Sequence, residues 1–249
     1  MSTVTPIICT DLPPIKVTEL DAVIHAFRSA PAFAMRQSWL AEPEPGFAPA
    51  VVRVGWRNES LLALAEMKDA DIFTFARQPN DRLWELGDTL EIFLRPVEQL
   101  AYAEFHVAPN NQRVRLRFTS PAATEHLRGN GWFNRALLQE DGFDSWTWVC
   151  PDINCWYALV EIPVSSVSDR PQPLPGSKWL FSFSRYDHTR GNAKPVISST
   201  SAHARPDFHR QEEWGTLHFQ LRQPTLQPDR PATLPARAGN HHGGLEPIT

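Results

Sequence analysis

The stretch Asp88-Thr89-Leu90-Glu91-Ile92-Phe93-Leu94-Arg95 alternates with a period of two. In an extended chain Leu90, Ile92 and Leu94 fall on one face, and Thr89, Glu91, Phe93 and Arg95 on the other, because successive side chains of a strand point to opposite sides. The same period recurs on either side of it. Upstream, Val52, Val54 and Trp56 lie opposite Val51, Arg53 and Gly55, and Asn58-Glu59 makes a hairpin-like turn into Leu61-Leu62-Ala63-Leu64. Downstream, Tyr102 to Val107, Arg113 to Phe118, Trp146 to Cys150, Trp156 to Ile162, Trp179 to Tyr186 and Trp214 to Arg222 read as further strands. Turn signals separate them: Gln78-Pro79-Asn80-Asp81, Pro109-Asn110-Asn111, Glu140-Asp141-Gly142 and Pro173-Leu174-Pro175-Gly176. Short strands with this punctuation predict an all-β chain, an antiparallel β-sandwich with short helices only in the connections. One such helix is expected over residues 20–29, stopped before Pro31.

Composition agrees. The chain has 249 residues, an ordinary length for one β-rich domain, and 42% of them are hydrophobic. It holds 23 prolines against 12 glycines, which disfavours long helices, and nine tryptophans, which suit aromatic-rich strands. With 24 basic and 28 acidic residues the net charge is −4, so the electrostatic footprint of a general nucleic-acid binder is missing. No apolar run approaches the roughly 20 residues needed to span a bilayer. Met1 to Pro14 lacks a basic start followed by a long apolar segment, so no secretory signal is read and the cytoplasm is the default expectation. Residues 1–14 are expected as an irregular lead-in, 15–222 as the sandwich and 223–249 as a disordered tail, where Pro, Arg, Gly and His replace apolar residues.

Catalytic signatures are missing. The chain has no Gly-x-Ser-x-Gly elbow, phosphate loop, His-Glu-x-x-His helix or dinucleotide glycine fingerprint. Asp88 and Glu91, three apart on a strand, point to opposite faces, and Glu85 meets Glu91 only if the turn between them folds back. His188, His203, His209 and His218 match no zinc spacing and read as solvated or hydrogen-bonded. Cys9, Cys150 and Cys155 read as buried or incidental thiols. More useful is Trp84, which precedes the strand that carries Glu91. An aromatic face beside a carboxylate suits a sugar, whose ring stacks while its hydroxyls donate hydrogen bonds. On the residues alone, packing is the better reading of Trp84, and Glu91 reads equally as a strand-face carboxylate neutralised by a basic neighbour.

Trp84-Glu85-Leu86-Gly87-Asp88-Thr89-Leu90-Glu91-Ile92-Phe93-Leu94, followed by Tyr102-Ala103-Glu104-Phe105-His106-Val107, resembles the central signature of family 9 carbohydrate-binding modules and their DOMON-like relatives. Val52 to Asp69 resembles the strand pair that precedes it, Trp156 to Pro163 and Gly176 to Arg185 its later strands, and Phe208 to Phe219 its closing strand. The pieces occur in order over residues 50–220. The resemblance implies a DOMON-like sandwich of immunoglobulin-like jelly-roll type. In its sugar-binding members this clamps a terminal saccharide between two tryptophans, with polar side chains and structural calcium. By that resemblance Trp84 takes the first clamp position, though this loop has one more residue before the Asp, and Phe208 takes the second. Glu91 is a sugar-contacting carboxylate, and His106 stands where an arginine is expected, which removes a forked donor.

The expectation is therefore a non-catalytic carbohydrate-binding domain, with Trp84 and Phe208 stacking on a mono- or oligosaccharide and Glu91 and His106 hydrogen-bonding it. Three alternatives accompany it: a protein-interaction or scaffold module on the same fold, haem held by Met67 and His106 (less well by Met1 or Met35), and an unusual glycan-active enzyme with a carboxylate pair across a cleft. No organic cofactor is expected. Calcium, which needs several convergent oxygens, would draw on Asp69, Asp71 and Asp81.

Overall fold

The computed structural model describes residues 7–120, 131–140, 142–168 and 174–220. In chain order the strands are β1 (Ile7–Asp11), β2 (Ala32–Ala34), β3 (Ala50–Arg57), β4 (Ser60–Lys68), β5 (Thr89–Pro96), β6 (Tyr102–Val107), β7 (Arg113–Phe118), β8 (Asp144–Cys150), β9 (Cys155–Pro163), β10 (Lys178–Asp187), β11 (Val196–Ser199) and β12 (Gly215–Phe219). They make two layers. The first runs β7-β6-β5-β10-β12-β1, with β11 added to β10; the second runs β1-β3-β4-β9-β8, with β2 added to β3. Every pairing is antiparallel except the two made by β1, which runs parallel to both β12 and β3.

The alternation read from the sequence sorts the side chains as expected. Leu90, Ile92 and Leu94 of β5 and Ala103, Phe105 and Val107 of β6 face Val52, Val54 and Trp56 of β3 and Ala63, Ala65 and Met67 of β4, all in the core between the layers. Full burial of one large apolar side chain here contributes about 1.5–3 kcal/mol. Asn58 and Glu59 both take positive φ, 47° and 60°, which is the turn that matches the twist of the β3–β4 hairpin.

The expected lead-in is corrected in part. Ile7–Asp11 is a strand, and it holds the two layers together: Ile7 to Cys9 pair with Leu217 to Phe219, then Thr10 and Asp11 pair with Gly55 and Trp56. Pro13 and Pro14 come after the last paired residue, so they end the strand without interrupting its ladder. The expected helix covers Leu20–Ala26, and its Val23 and Ala26, with the capping Phe27, pack against Leu62, Leu64 and Leu159 on the outside of the second layer. The remaining helices are single short turns. The tail expected over 223–249 lies outside the described residues.

The outer face of the first layer carries Phe93, Tyr102, Phe118, Phe208 and Trp214 in a separate aromatic cluster. The candidate site is built on that face.

Candidate functional site

Two adjacent strands make the floor. Glu91 of β5 pairs across to His106 of β6, and Phe93 to Glu104, so the mixed faces of both strands lie side by side. Three connections make the walls. Trp84 stands on the helical turn Leu83–Leu86. Gly87, at φ 152°, ends that turn where the chain meets Thr74 in an antiparallel bridge; a Cβ there would come within 2.5 Å of the Phe73 carbonyl oxygen, so no other residue fits. Trp132 opens the short helix Trp132–Ala136, which is tied to β7 by the Leu116–Leu137 bridge. Phe208 and His209 come from the connection after β11. The Trp214 indole donates to the Phe208 carbonyl at 2.8 Å, and Arg210 and His203 both bond Glu213, which fixes that connection against β12.

These parts enclose a cavity of about 220 Å³ lined by Trp84, Glu91, Glu104, His106, Trp132, Tyr186, Ile197, Pro206, Asp207, Phe208 and His209. It is smaller than the roughly 300–1,000 Å³ usual for a drug-sized ligand, and is suited to a single ring. All four residues singled out in the sequence, Trp84, Glu91, His106 and Phe208, line it.

Their roles differ from the expectation in detail. Trp84 is part-buried on a helical turn and not on an open loop, and its ring packs against Trp132 at 6.0 Å between centroids, against Phe133 at 5.7 Å and against His106 at 5.3 Å. Trp84 and Trp132 stack on each other at an interplanar angle of 28°, which leaves no room for a ring between them. Phe208 is only 5% exposed, wrapped by Trp39, Phe93, Tyr186 and His203. It forms a wall more than an open stacking platform.

The polar floor is a chain of alternating carboxylates and imidazoles. His106 places Nδ1 3.3 Å from Glu91 Oε1 and Nε2 3.3 Å from Glu104 Oε2; His209 Nδ1 lies 3.1 Å from Glu104 Oε1 and 3.0 Å from the Tyr102 hydroxyl. Burial pushes Glu91 up to about 7, with the His106 charge pulling the other way. Burial also opposes ionisation of Glu104, but His209 and His106 outweigh it and hold that carboxyl down to about 2. Both histidines are raised: burial disfavours their charge, and the carboxylates on either side prevail. Glu91 and Glu104 are bridged by one imidazole on one strand face, an arrangement different from two carboxylates facing each other across a cleft. Haem ligation by Met67 and His106 does not fit, because Met67 is fully buried between the layers while His106 lies on the outer face of the first.

The residues expected to take calcium do not converge. Asp71 pairs with Arg190, and Asp81 accepts backbone N–H groups from Arg77 and Gln78. Only Asp69 belongs to a compact set, with Asp88 and Asp187, whose nearest oxygens lie within 4.8 Å of one another. Arg185 Nη2 sits 3.1 Å from Asp69 and 3.2 Å from Asp187. Burial pushes Asp88 up to about 8, Asp69 adding to it, and Asp187 up to about 7. Three buried carboxylates against one guanidinium, all offering oxygen, fit a hard divalent cation such as calcium. The set also braces the Trp84 wall: Asp88 accepts from the Phe73 and His188 N–H groups at 2.7 and 2.8 Å, and the His188 ring bonds the Trp84 carbonyl at 3.0 Å.

No family model matches the chain, and no curated protein matches its sequence. Its architecture does recur among solved structures. A protein from Bacteroides uniformis ATCC 8492, considered carbohydrate-binding, superposes with a TM-score of 0.67 at 17% identity, over 87% of this chain and 99% of the other. A family 9 carbohydrate-binding module from Caldicellulosiruptor kristjanssonii superposes with a TM-score of 0.60 at 15% identity. In complex with cellotriose it covers 94% of this chain, and in complex with glucose 90%, in both cases over 100% of the module. The chain shares their fold. The all-β sandwich expected from the alternation of β5 and its neighbours is thus the architecture of solved carbohydrate-binding modules.

Sequence reasoning missed Glu104, Trp132, Tyr186, Asp207 and His209 as parts of the cavity. Glu104 was within reach, since it alternates with Ala103 and Phe105 on the face that carries His106. Tyr186 likewise shares a face of β10 with Ser184, which pairs with Glu91. Trp132, Asp207 and His209 lie in connections without a period of their own, and only the packed structure brings them there.

Proposed function

We propose that the protein is a non-catalytic carbohydrate-binding domain whose outer-face cavity receives one ring of a saccharide. One observation carries this reading: aromatic faces from Trp84 and Trp132 stand over a polar floor of Glu91, His106, Glu104 and His209 in a cavity sized for one ring. Sugars need both parts. Their C–H faces pack on indoles, and their hydroxyls require donors and acceptors in fixed places, here imidazole N–H groups and carboxylate oxygens. The solved modules of the same fold, in complex with glucose and cellotriose, support the choice of ligand class. His106 takes the place of a guanidinium as hydrogen-bond donor, so selectivity depends on its orientation between Glu91 and Glu104. Calcium held by Asp69, Asp88 and Asp187 would act structurally, by stiffening the segment that carries Trp84.

Titration with glucose, cellobiose and a panel of other mono- and oligosaccharides, with and without calcium and followed by tryptophan fluorescence, tests the reading. A saturable change that disappears in Trp84→Ala supports it. A flat response across the panel, or unchanged binding by that variant, refutes the assignment of the site.

A further inference from the structure

A second cavity, of about 540 Å³, opens on the same outer face and shares His209 with the first. Arg95 of β5 and Thr216 of β12 contribute to it, with Gln211, Glu212 and Trp214 from the connection before β12. Arg95 lies on the same strand face as Glu91, four residues along, which is ~13 Å at ~3.3 Å per residue. One pyranose ring cannot reach both, and the His209 side chain that lines both cavities sets them next to each other, within the span of a longer saccharide.

The second cavity has unused hydrogen-bonding groups. Gln211 is only 7% exposed, yet among the described residues neither its Oε1 nor its Nε2 has a hydrogen-bond partner. The Nε of Arg95 is buried and equally without one, and among the described residues no carboxylate pairs with its guanidinium. Buried amides and guanidinium nitrogens are normally satisfied, so such a pair lining one cavity points to a ligand that completes them. The carboxylate at the rim, Glu212, is already engaged by Arg210 at 3.2 Å. Arg95 and Gln211 then leave a lining with open donors, whereas in the first cavity the imidazoles of His106 and His209 are already paired with Glu91 and Glu104.

We propose that the second cavity is a subsite for a uronic acid: a carboxylate-bearing sugar, linked to the ring in the first cavity, whose carboxylate is held by the forked donors of Arg95 and by the amide of Gln211. The proposal rests on the carbohydrate reading of the first cavity. In the first cavity both imidazoles are already committed to Glu91 and Glu104, so no open cation awaits a sugar carboxylate there, and the two cavities together select a neutral ring followed by an acidic one.

Calorimetric titration with cellobiose, glucuronosyl-β-1,4-glucose and glucosyl-β-1,4-glucuronic acid tests this on the full chain. The acidic disaccharides differ from cellobiose by one carboxylate, on either ring, so the orientation of the chain need not be assumed. One of them should bind at least about tenfold tighter than cellobiose, and Arg95→Gln should bring it back to the cellobiose level. Gln211→Leu, which fills the same space without polar atoms, should reduce the advantage by severalfold. Thermal midpoints of the same samples separate loss of fold from loss of the subsite. If cellobiose binds and neither acidic disaccharide binds tighter, the subsite is refuted while the carbohydrate reading stands. A preference that survives in a folded Arg95→Gln variant also refutes it, and no binding of any of the three refutes both readings.

Discussion

The two cavities on the outer face of the first layer share a strand, β5, and a side chain, His209, yet differ in how their polar groups are satisfied. In the first, carboxylates and imidazoles alternate from Glu91 to His209, each facing a group of opposite charge at 3.1 to 3.3 Å. In the second, a larger space, the Arg95 guanidinium faces no carboxylate among the described residues, and the Gln211 amide has no hydrogen-bond partner among them. The same strand alternation delivers Glu91 to one and Arg95 to the other. Periodicity chooses the face of a sheet, and the connections packed on that face decide whether a charge arrives paired or open.

The largest effect that could break this comparison is loss of the Trp84 indole. Trp84→Ala should weaken binding of glucose or cellobiose at least about a hundredfold, about 2.7 kcal/mol. Because the ring also packs on Trp132 and Phe133, the variant should lose about 2 kcal/mol of stability, read by denaturant unfolding. Calcium should act on the wall of the first cavity alone. At a hundredfold excess over its Kd it should add about 2.7 kcal/mol to the unfolding free energy, and Asp88→Asn should remove most of that gain. An equal gain in the variant would place the ion elsewhere.

Glu91→Gln removes an acceptor but keeps the shape, and should weaken binding of a neutral sugar about tenfold by calorimetry. The same carboxyl predicts a pH dependence. Glu91, raised to about 7 from 4.5, contributes stability that is full below about pH 4.5 and lost as pH rises through about 7; His106 and His209, also raised, act in the same direction. Glu104, lowered to about 2, contributes stability present above 4.5 and lost below it. Thermal midpoints should therefore decline from about pH 4.5 toward pH 8, and Glu91→Gln should flatten that decline. The smallest effect is salt. Moving from about 0.05 to 0.5 M NaCl should shrink the advantage of an acidic disaccharide a few-fold, because Arg95 is only part-buried, and should leave glucose binding unchanged.

Much of this arrangement was legible beforehand, and the failures share a cause. Glu91 and His106 were read together only through a family signature, and the structure pairs them across β5 and β6. Glu104 lay on the same face and needed only the register between those strands. Phe208 lines the cavity, but its burial depends on Trp39 and Tyr186, which are remote in sequence. Ile7–Asp11 looked irregular because two prolines follow it and because a strand that switches partners midway has no simple pattern of exposure. Calcium was expected at Asp69, Asp71 and Asp81 by their place in the chain, whereas the carboxylates that the fold gathers are Asp69, Asp88 and Asp187, at the ends of β4, β5 and β10.

The sequence by itself determined the longer strands, the residues on each of their faces and hence the sandwich, since side-chain alternation is a local consequence of extended backbone and needs no knowledge of partners. The tertiary structure alone decided which connections close over the outer face, that Trp132 and His209 join Trp84 and Glu91 there, and that Arg95 lines one cavity with a buried amide and, among the described residues, no counter-charge. Those outcomes depend on contacts between segments far apart in the chain, where burial and the pairing of charges select the arrangement and no local pattern records it.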